Sequence, residues 1–228
     1  MKKQLIVLSA VLCATSFAWS ESREDATKRL ANAAQVLTAI TTAPDKGIPL
    51  EVLDHAKCIA VVPHMVKGGF IFGGEGGRGV ASCRTATGWS APAFFTIAGG
   101  SWGLQIGVEG VDLVMIVQNQ QGMDHWLSSK FQIGGDASAA AGPVGRHASA
   151  DTDWKMDAEI LTYSRAKGVF AGLTLKGNGI SGDGDTNKNV YGTDDEKAIL
   201  TGTVPPTPEG TTFLHSIHHA REAAAASK

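Results

Sequence analysis

KGGFIFGGEGGRGVASCR, residues 67–84, opens a charge-poor, glycine-dense block that runs to Arg146 and decides the fold. Farther along it come WSAP at 89–92, FFTIAGGSWGLQIGVEGVDLVMIVQN at 94–119 and GGDASAAAGPVGR at 134–146. Glycine alone accepts positive φ without a steric penalty, so this density among Phe, Ile, Val and Leu points to bends, bulges and close backbone approach. Leu104, Ile106 and Val108 alternate with Gln105, Gly107 and Glu109, the pattern of a strand with one wet face. After Asp112 the run Leu-Val-Met-Ile-Val loses that alternation, as a strand buried on both faces does.

Upstream, Cys58–Pro63 and Gly69–Phe72 are short apolar runs, and Gly79–Arg84 is expected as a strand after a glycine turn. Trp89–Ala98 and Leu104–Val117 continue the meander. Downstream, Gln121–Lys130 reads as a short helix, 131–145 as irregular chain, and Ala158–Ser164 and Val169–Leu175 as strands joined by a turn at Arg165–Gly168. Asp183–Asp195 reads as a polar loop with a single helical turn. Ala26, Leu30, Ala33, Leu37 and Ile40 stand at helical spacing within Glu21–Ile40, an amphipathic helix. Ile48–Ala56 is a second short helix, and Thr212–Ala225 a final one. The expected fold is α+β: a strongly curved, barrel-like antiparallel sheet flanked by N-terminal amphipathic and C-terminal helices.

Residues 1–20, MKKQLIVLSAVLCATSFAWS, have the basic start, short apolar core and small residues of a secretory signal peptide cleaved near Ser20. Leu12 before Cys13 does not suit lipid attachment. The expected mature chain, 21–228, has the size of a single domain. It would be periplasmic or otherwise exported, either soluble or peripheral to a membrane. Without Lys2 and Lys3 it carries 18 basic against 22 acidic side chains, a balance that argues against a nucleic-acid partner. Its two cysteines, Cys58 and Cys83, are expected to form a disulfide, with separately buried thiols as the alternative.

Two catalytic patterns match literally. Gly74–Gly79 fits G-x-G-x-x-G, but a dinucleotide site needs a following helix to receive the pyrophosphate, and Val80–Cys83 continues as strand; a hairpin turn is expected there. Gly99-Gly-Ser-Trp-Gly103 fits the nucleophile elbow G-x-S-x-G, which would pair Ser101 with His125 or His147 and Asp112. The elbow also needs strand-turn-helix, so a bulged strand is the better account. His215, His218 and His219 stand at helical spacing without a carboxylate or cysteine at ligand distance, and read as a solvated helix face. Asp183, Asp185, Asn187, Asn189 and Asp194 echo a calcium loop, yet Lys188 occupies the place of its glycine. No metal or other cofactor is expected, and no enzyme.

The ordered series AKCIAVVP, KGGFIFGGEGGRGV, GWSAP, IAGGSWGLQIGVEGVDLVMIV, GGDASAAAGPVGR, YSRAKGVFAGLTLKG and NVYG resembles the SYLF domain family over roughly Ala26–Gly202. That resemblance implies phosphoinositide binding in eukaryotic members, actin association in some fungal ones, and lipid binding in exported bacterial ones. It also implies membrane contact through the N-terminal amphipathic helix. The expected function is therefore non-catalytic contact with phospholipid or a similar amphiphile. Leu30, Leu37 and Ile40 would make the apolar contact, with Lys67, Arg146, Arg165 and Lys167 as headgroup partners. An envelope structural or stress protein that binds a protein partner is the alternative, and a Ser101 hydrolase a third.

Overall fold

The computed structural model describes residues 22–43, 47–69, 72–102, 107–144, 158–166, 169–170 and 175–226, with backbone alone at 72, 101–102, 107–108 and 169–170. In chain order the elements are α1 (Arg23–Thr41), α2 (Leu50–His55), β1 (Cys58–Gly69), β2 (Phe72–Thr85), β3 (Gly88–Trp89), β4 (Ala93–Trp102) and β5 (Gly107–Val117). They continue with α3 (Gln120–Trp126), β6 (Lys130–Gln132), β7 (Ala139–Ala141), β8 (Ile160–Ala166), β9 (Val169–Phe170), β10 (Gly179–Gly182), α4 (Gly184–Tyr191), α5 (Glu196–Leu200) and α6 (Pro208–Ala226).

One curled sheet carries the fold, in the order β6-β10-β4-β2-β1-β5-β8-β7, with β3 on β2 and β9 on β8. Its pairings are antiparallel except β7 with β8. The two faces bury separate cores, as the two-residue period requires. On the outer face Ile59, Val61, Val80, Phe94, Val114 and Ile116 pack under α1, α2 and α6. On the concave face Ala60, Val62, Met65, Phe95, Ile97, Leu113 and Met115 meet Trp126, Phe131 and Leu200. Strand 113–117 is thus buried on both sides, which explains its unbroken apolar run.

Helix α1 starts at Ser22, whose hydroxyl accepts from the Asp25 amide at 3.1 Å, a cap that satisfies one free N–H of the first turn. Its apolar stripe, Ala26, Leu30, Ala33, Leu37 and Ile40, is buried against the sheet and α6.

The glycine block departs from expectation in an instructive way. Gly74–Gly79 is no hairpin turn: it lies inside β2, paired on one side with β1 and on the other with β4. The connection between β1 and β2 falls instead at 70–71, after the Gly69–Gly73 pair. Nor is β4 bulged at Gly99–Gly100, because its register with β2 runs unbroken from Phe72–Trp102 to Ala81–Ala93. The bulge lies in β1, between Val62 and Met65, where Pro63 cannot donate to a ladder and His64 takes φ +59°. Short strands β6 and β7 lie in or at the edge of the stretch expected as irregular chain, β10 adds a strand at 179–182, and 183–195 holds the helix α4. Asp183 caps α4, and Gly192 ends it in the left-handed conformation.

Cys58 and Cys83 are direct cross-strand partners on β1 and β2 and are joined as a disulfide, closing the base of that hairpin.

Glycines in β2 fall into two kinds. A Cβ on Gly79 would lie 2.5 Å from the Phe95 ring and 2.7 Å from the Val61 carbonyl oxygen, both fixed neighbours. On Gly74 its nearest neighbour would be the Gly99 carbonyl at 3.9 Å, an ordinary contact. Gly79→Ala should therefore lower stability by about 1–3 kcal/mol, or roughly 2–12 °C in Tm for a domain of this size. Gly74→Ala should leave Tm nearly unchanged; thermal unfolding of the two variants checks the contrast.

Candidate functional site

The candidate site is the end of the curled sheet where β1, β2, β4 and β5 run past both cores. Met65, Gly79, Ile97 and Val111 mark the last buried level of these strands, apart from Glu75. Beyond it, a polar row crosses five strands on the concave face: Glu109 of β5, Lys67 of β1, Glu75 of β2, Gly99 of β4, and Asn178 at the start of β10. Lys67 Nζ stands 2.9 Å from Glu75 Oε2, an ionic contact more than an aligned hydrogen bond. The Asn178 carboxamide donates to Glu75 Oε1 and, at 3.1 Å, to the Leu175 carbonyl. Gly99 is required here, since a Cβ would overlap the Asn178 side chain. Glu75 and Asn178 are buried, so the row closes the concave core with paired polar groups in place of water.

Among the described side chains, the outer face of the same end carries few beyond Val66 and Ala98. Successive levels run Gly110–Val66–Gly76–Ala98 and Val108–Gly68–Gly74–Gly100 across β5, β1, β2 and β4. Val66 is 47% exposed, one of two large exposed apolar side chains among the described residues.

The residues expected to contact lipid do not assemble into one surface. Leu30, Leu37 and Ile40 are at most 1% exposed, so in this conformation they are core residues and offer no apolar contact. Lys67 faces the concave side and is neutralised by Glu75, whereas Arg165 of β8 shares the outer-face register of Asp112. The sheet stands between these two cations. Arg146 and Lys167 lie outside the described residues.

The catalytic and metal readings find no assembly either. Ser101 sits opposite Gly73 within β4, and the next described element is strand β5; its side chain and His147 lie outside the described residues. Asp112 accepts the His64 amide at 3.0 Å, while His125 stands 3.5 Å from Glu159. Among the described residues no three His, Cys, Asp or Glu side chains cluster as a metal site. His215, His218 and His219 are exposed on α6. Asn187, from the supposed calcium loop, grips β4 by accepting the Phe94 amide at 2.8 Å and donating to its carbonyl at 3.0 Å.

A buried charged cluster locks α1 to the far side of the sheet. Arg29 stands 3.1 Å from Asp183 and stacks its guanidinium on Phe94, 5.3 Å from the ring centre. Nearby, Glu196 is 3% exposed, and burial pushes its carboxyl up to about 8, against a hydrogen bond from Ser129 that lowers it. Sequence reasoning missed this carboxyl because Glu196 looks like an ordinary helix-start residue.

With this geometry in view, comparison with known proteins is informative. A family model described as "Las17-binding protein actin regulator" (Ysc84) matches residues 98–220, more than half of the chain. The chain belongs to this Ysc84, or SYLF domain, family. It is 36% identical over 181 residues to "SH3 domain-containing YSC84-like protein 1" of Xenopus laevis, covering 75% of this chain and 54% of the relative. It is 36% identical over 169 residues to "LAS seventeen-binding protein 3" of Saccharomyces cerevisiae, covering 72% and 37%. With the human YSC84-like protein 1 the identity is 33% over 168 residues, covering 72% and 49%. The chain thus spans about half the length, or less, of these curated relatives. Their names are those of binding and regulatory proteins.

Glu196 gives a pH test. Its folded carboxyl holds a proton more tightly than the unfolded one, so folding takes up a proton between about 4.5 and about 8. Stability contributed by the neutral form is complete below that window and is lost as pH rises through it, on the order of a few kcal/mol in all. Glu196→Gln should flatten the fall between pH 5 and 8 in denaturant titrations, and be more stable than the parent at pH 8.

Proposed function

We propose that this chain is a non-catalytic binding module, exported by the leader expected at 1–20, whose open sheet end meets a phospholipid surface or a similar amphiphile. The observation that carries this reading is the β1–β2 hairpin, flanked by β4 and β5, running on beyond the cores. The described part of its outer face is side-chain-poor around the exposed Val66, and the sequence between these strands is apolar at Phe70-Ile71 and at Leu104 and Ile106. Contact through paired strands requires no buried helix to be released from the core.

Insertion of α1 is the costlier route. Freeing Leu30, Leu37 and Ile40 from the core would forfeit roughly 5–9 kcal/mol of burial before any gain in lipid. It would also open the buried Arg29–Asp183 pair. Charge gives little help elsewhere: Lys67 is already paired, and the basic residues are spread over both faces. Shallow apolar contact, weakly dependent on salt, is therefore the mode this reading requires.

The family's name and those of its yeast members favour a second reading, in which the same end binds a protein partner. Crosslinking in intact cells separates the two, since one dominant protein adduct favours the second.

Co-sedimentation of residues 21–228 with zwitterionic and anionic vesicles tests the first. Binding to both is expected, with little loss at high salt, and Val66→Asp with Phe70→Asp should weaken it at least about tenfold. Equal and negligible pelleting of the parent with both vesicles would sink the lipid reading.

A further inference from the structure

On the outer face, next to the Val66–Gly110 level, α1 and the β1 bulge border an open groove of about 400 Å³, within the size range of small-molecule sites. Val36, Ala39 and Pro63 give it an apolar floor, and Asn32, Gln35, His64 and Asp112 line it with polar groups.

Several features present His64 there. Its φ of +59° is an unfavourable conformation for a residue with a Cβ, and Ser129 is the one other such non-glycine among the described residues. Asp112 holds the strained turn by accepting the His64 amide at 3.0 Å. Gly110 makes room for the imidazole, since a Cβ there would lie 2.9 Å from His64 Nε2. The bulge that holds this conformation resets the faces of β1, and it leaves His64 an exposed residue at the groove.

We propose that the groove binds a neutral polyhydroxyl group of sugar size. Asn32 and Gln35, three apart on α1, share one helix face and together offer amide donors and carbonyl acceptors. Asp112 retains acceptor capacity after taking the His64 amide, and the imidazole supplies a further ring nitrogen. Hydroxyl groups, which both donate and accept, match this mixture. An anion would face the Asp112 carboxylate, with no cationic side chain among the lining residues. A divalent cation would find one carboxylate and one imidazole, too few for zinc or calcium. An apolar ligand would strip water from four polar side chains. This site adjoins the open sheet end at Val66 and Gly110 but does not rest on the lipid reading.

The test is a ¹H–¹⁵N NMR titration of residues 21–228 with glucose, galactose and N-acetylglucosamine, and with inorganic phosphate as the anionic control. Saturable shifts at residues 32–36, 64–66 and 110–112 are expected with at least one sugar. Gln35→Ala, at an exposed helix position, and Asp112→Asn should each weaken that binding about threefold to tenfold. The spectrum of Gln35→Ala without ligand reports whether the fold is kept. Absence of saturable shifts with all three sugars, saturation by phosphate alone, or unchanged affinity in folded Gln35→Ala would each overturn the proposal.

Discussion

The Phe95 ring lies across the backbone of Gly79 on the neighbouring strand, in a space that no Cβ leaves free, and the curled sheet depends on that contact. An aromatic ring laid over a cross-strand glycine lets two strands carry one side chain's bulk between them, so the concave face tightens there. Phe95 then stacks edge-on against Trp126 at 5.2 Å, and Trp126 against Phe131 at 5.4 Å, filling the hollow from α3 and β6. Gly77 repeats the device one level on, against Val62 and Met65. Above it the aromatic filling gives way to the polar row of Lys67, Glu75 and Asn178.

This division assigns different work to the two ends of the sheet. At the base, the Cys58–Cys83 disulfide ties β1 to β2, and α1, α2 and α6 cover the outer-face core. At the other end the strands remain paired, and their described residues are chiefly glycines, Val66 and the polar row about the Lys67–Glu75 pair. A paired backbone stripped of side chains keeps its hydrogen bonds while leaving its surface approachable, which suits contact with a partner more than packing of a core. Membership in the Ysc84 family agrees with a binding role. Transferring a named partner from relatives of up to about twice the length is a separate matter.

Much of the architecture was legible in the sequence. Leu113–Val117 announced a doubly buried strand, the spacing of Leu30, Leu37 and Ile40 a helix, and the glycine-dense apolar strands a curved sheet flanked by helices. The faces were harder to read. One extra residue at the Pro63–His64 bulge inverts the two-residue count along β1, turning Lys67 inward and Val66 outward. Pro63 inside an apolar run was the available signal. Glycine misled for a related reason: a turn and a bare strand share the same local composition, and only the neighbour that fills the space distinguishes them. The amphipathic stripe of α1 carried the same ambiguity, because an apolar helix face fits a core as well as a membrane. Helix α4 did declare itself, with Asp183 and Gly192 at its ends, behind a composition polar enough to pass for a loop.

Hydrogen exchange of residues 21–228 by mass spectrometry, with and without vesicles to which the protein binds, tests the central assignment most directly. Contact through the open sheet end predicts that amides of 64–76 and 98–110 gain protection while those of 23–41 are unchanged. Loss of protection across 23–41 on binding, with no change at 64–76 and 98–110, would contradict it and return the lipid contact to α1.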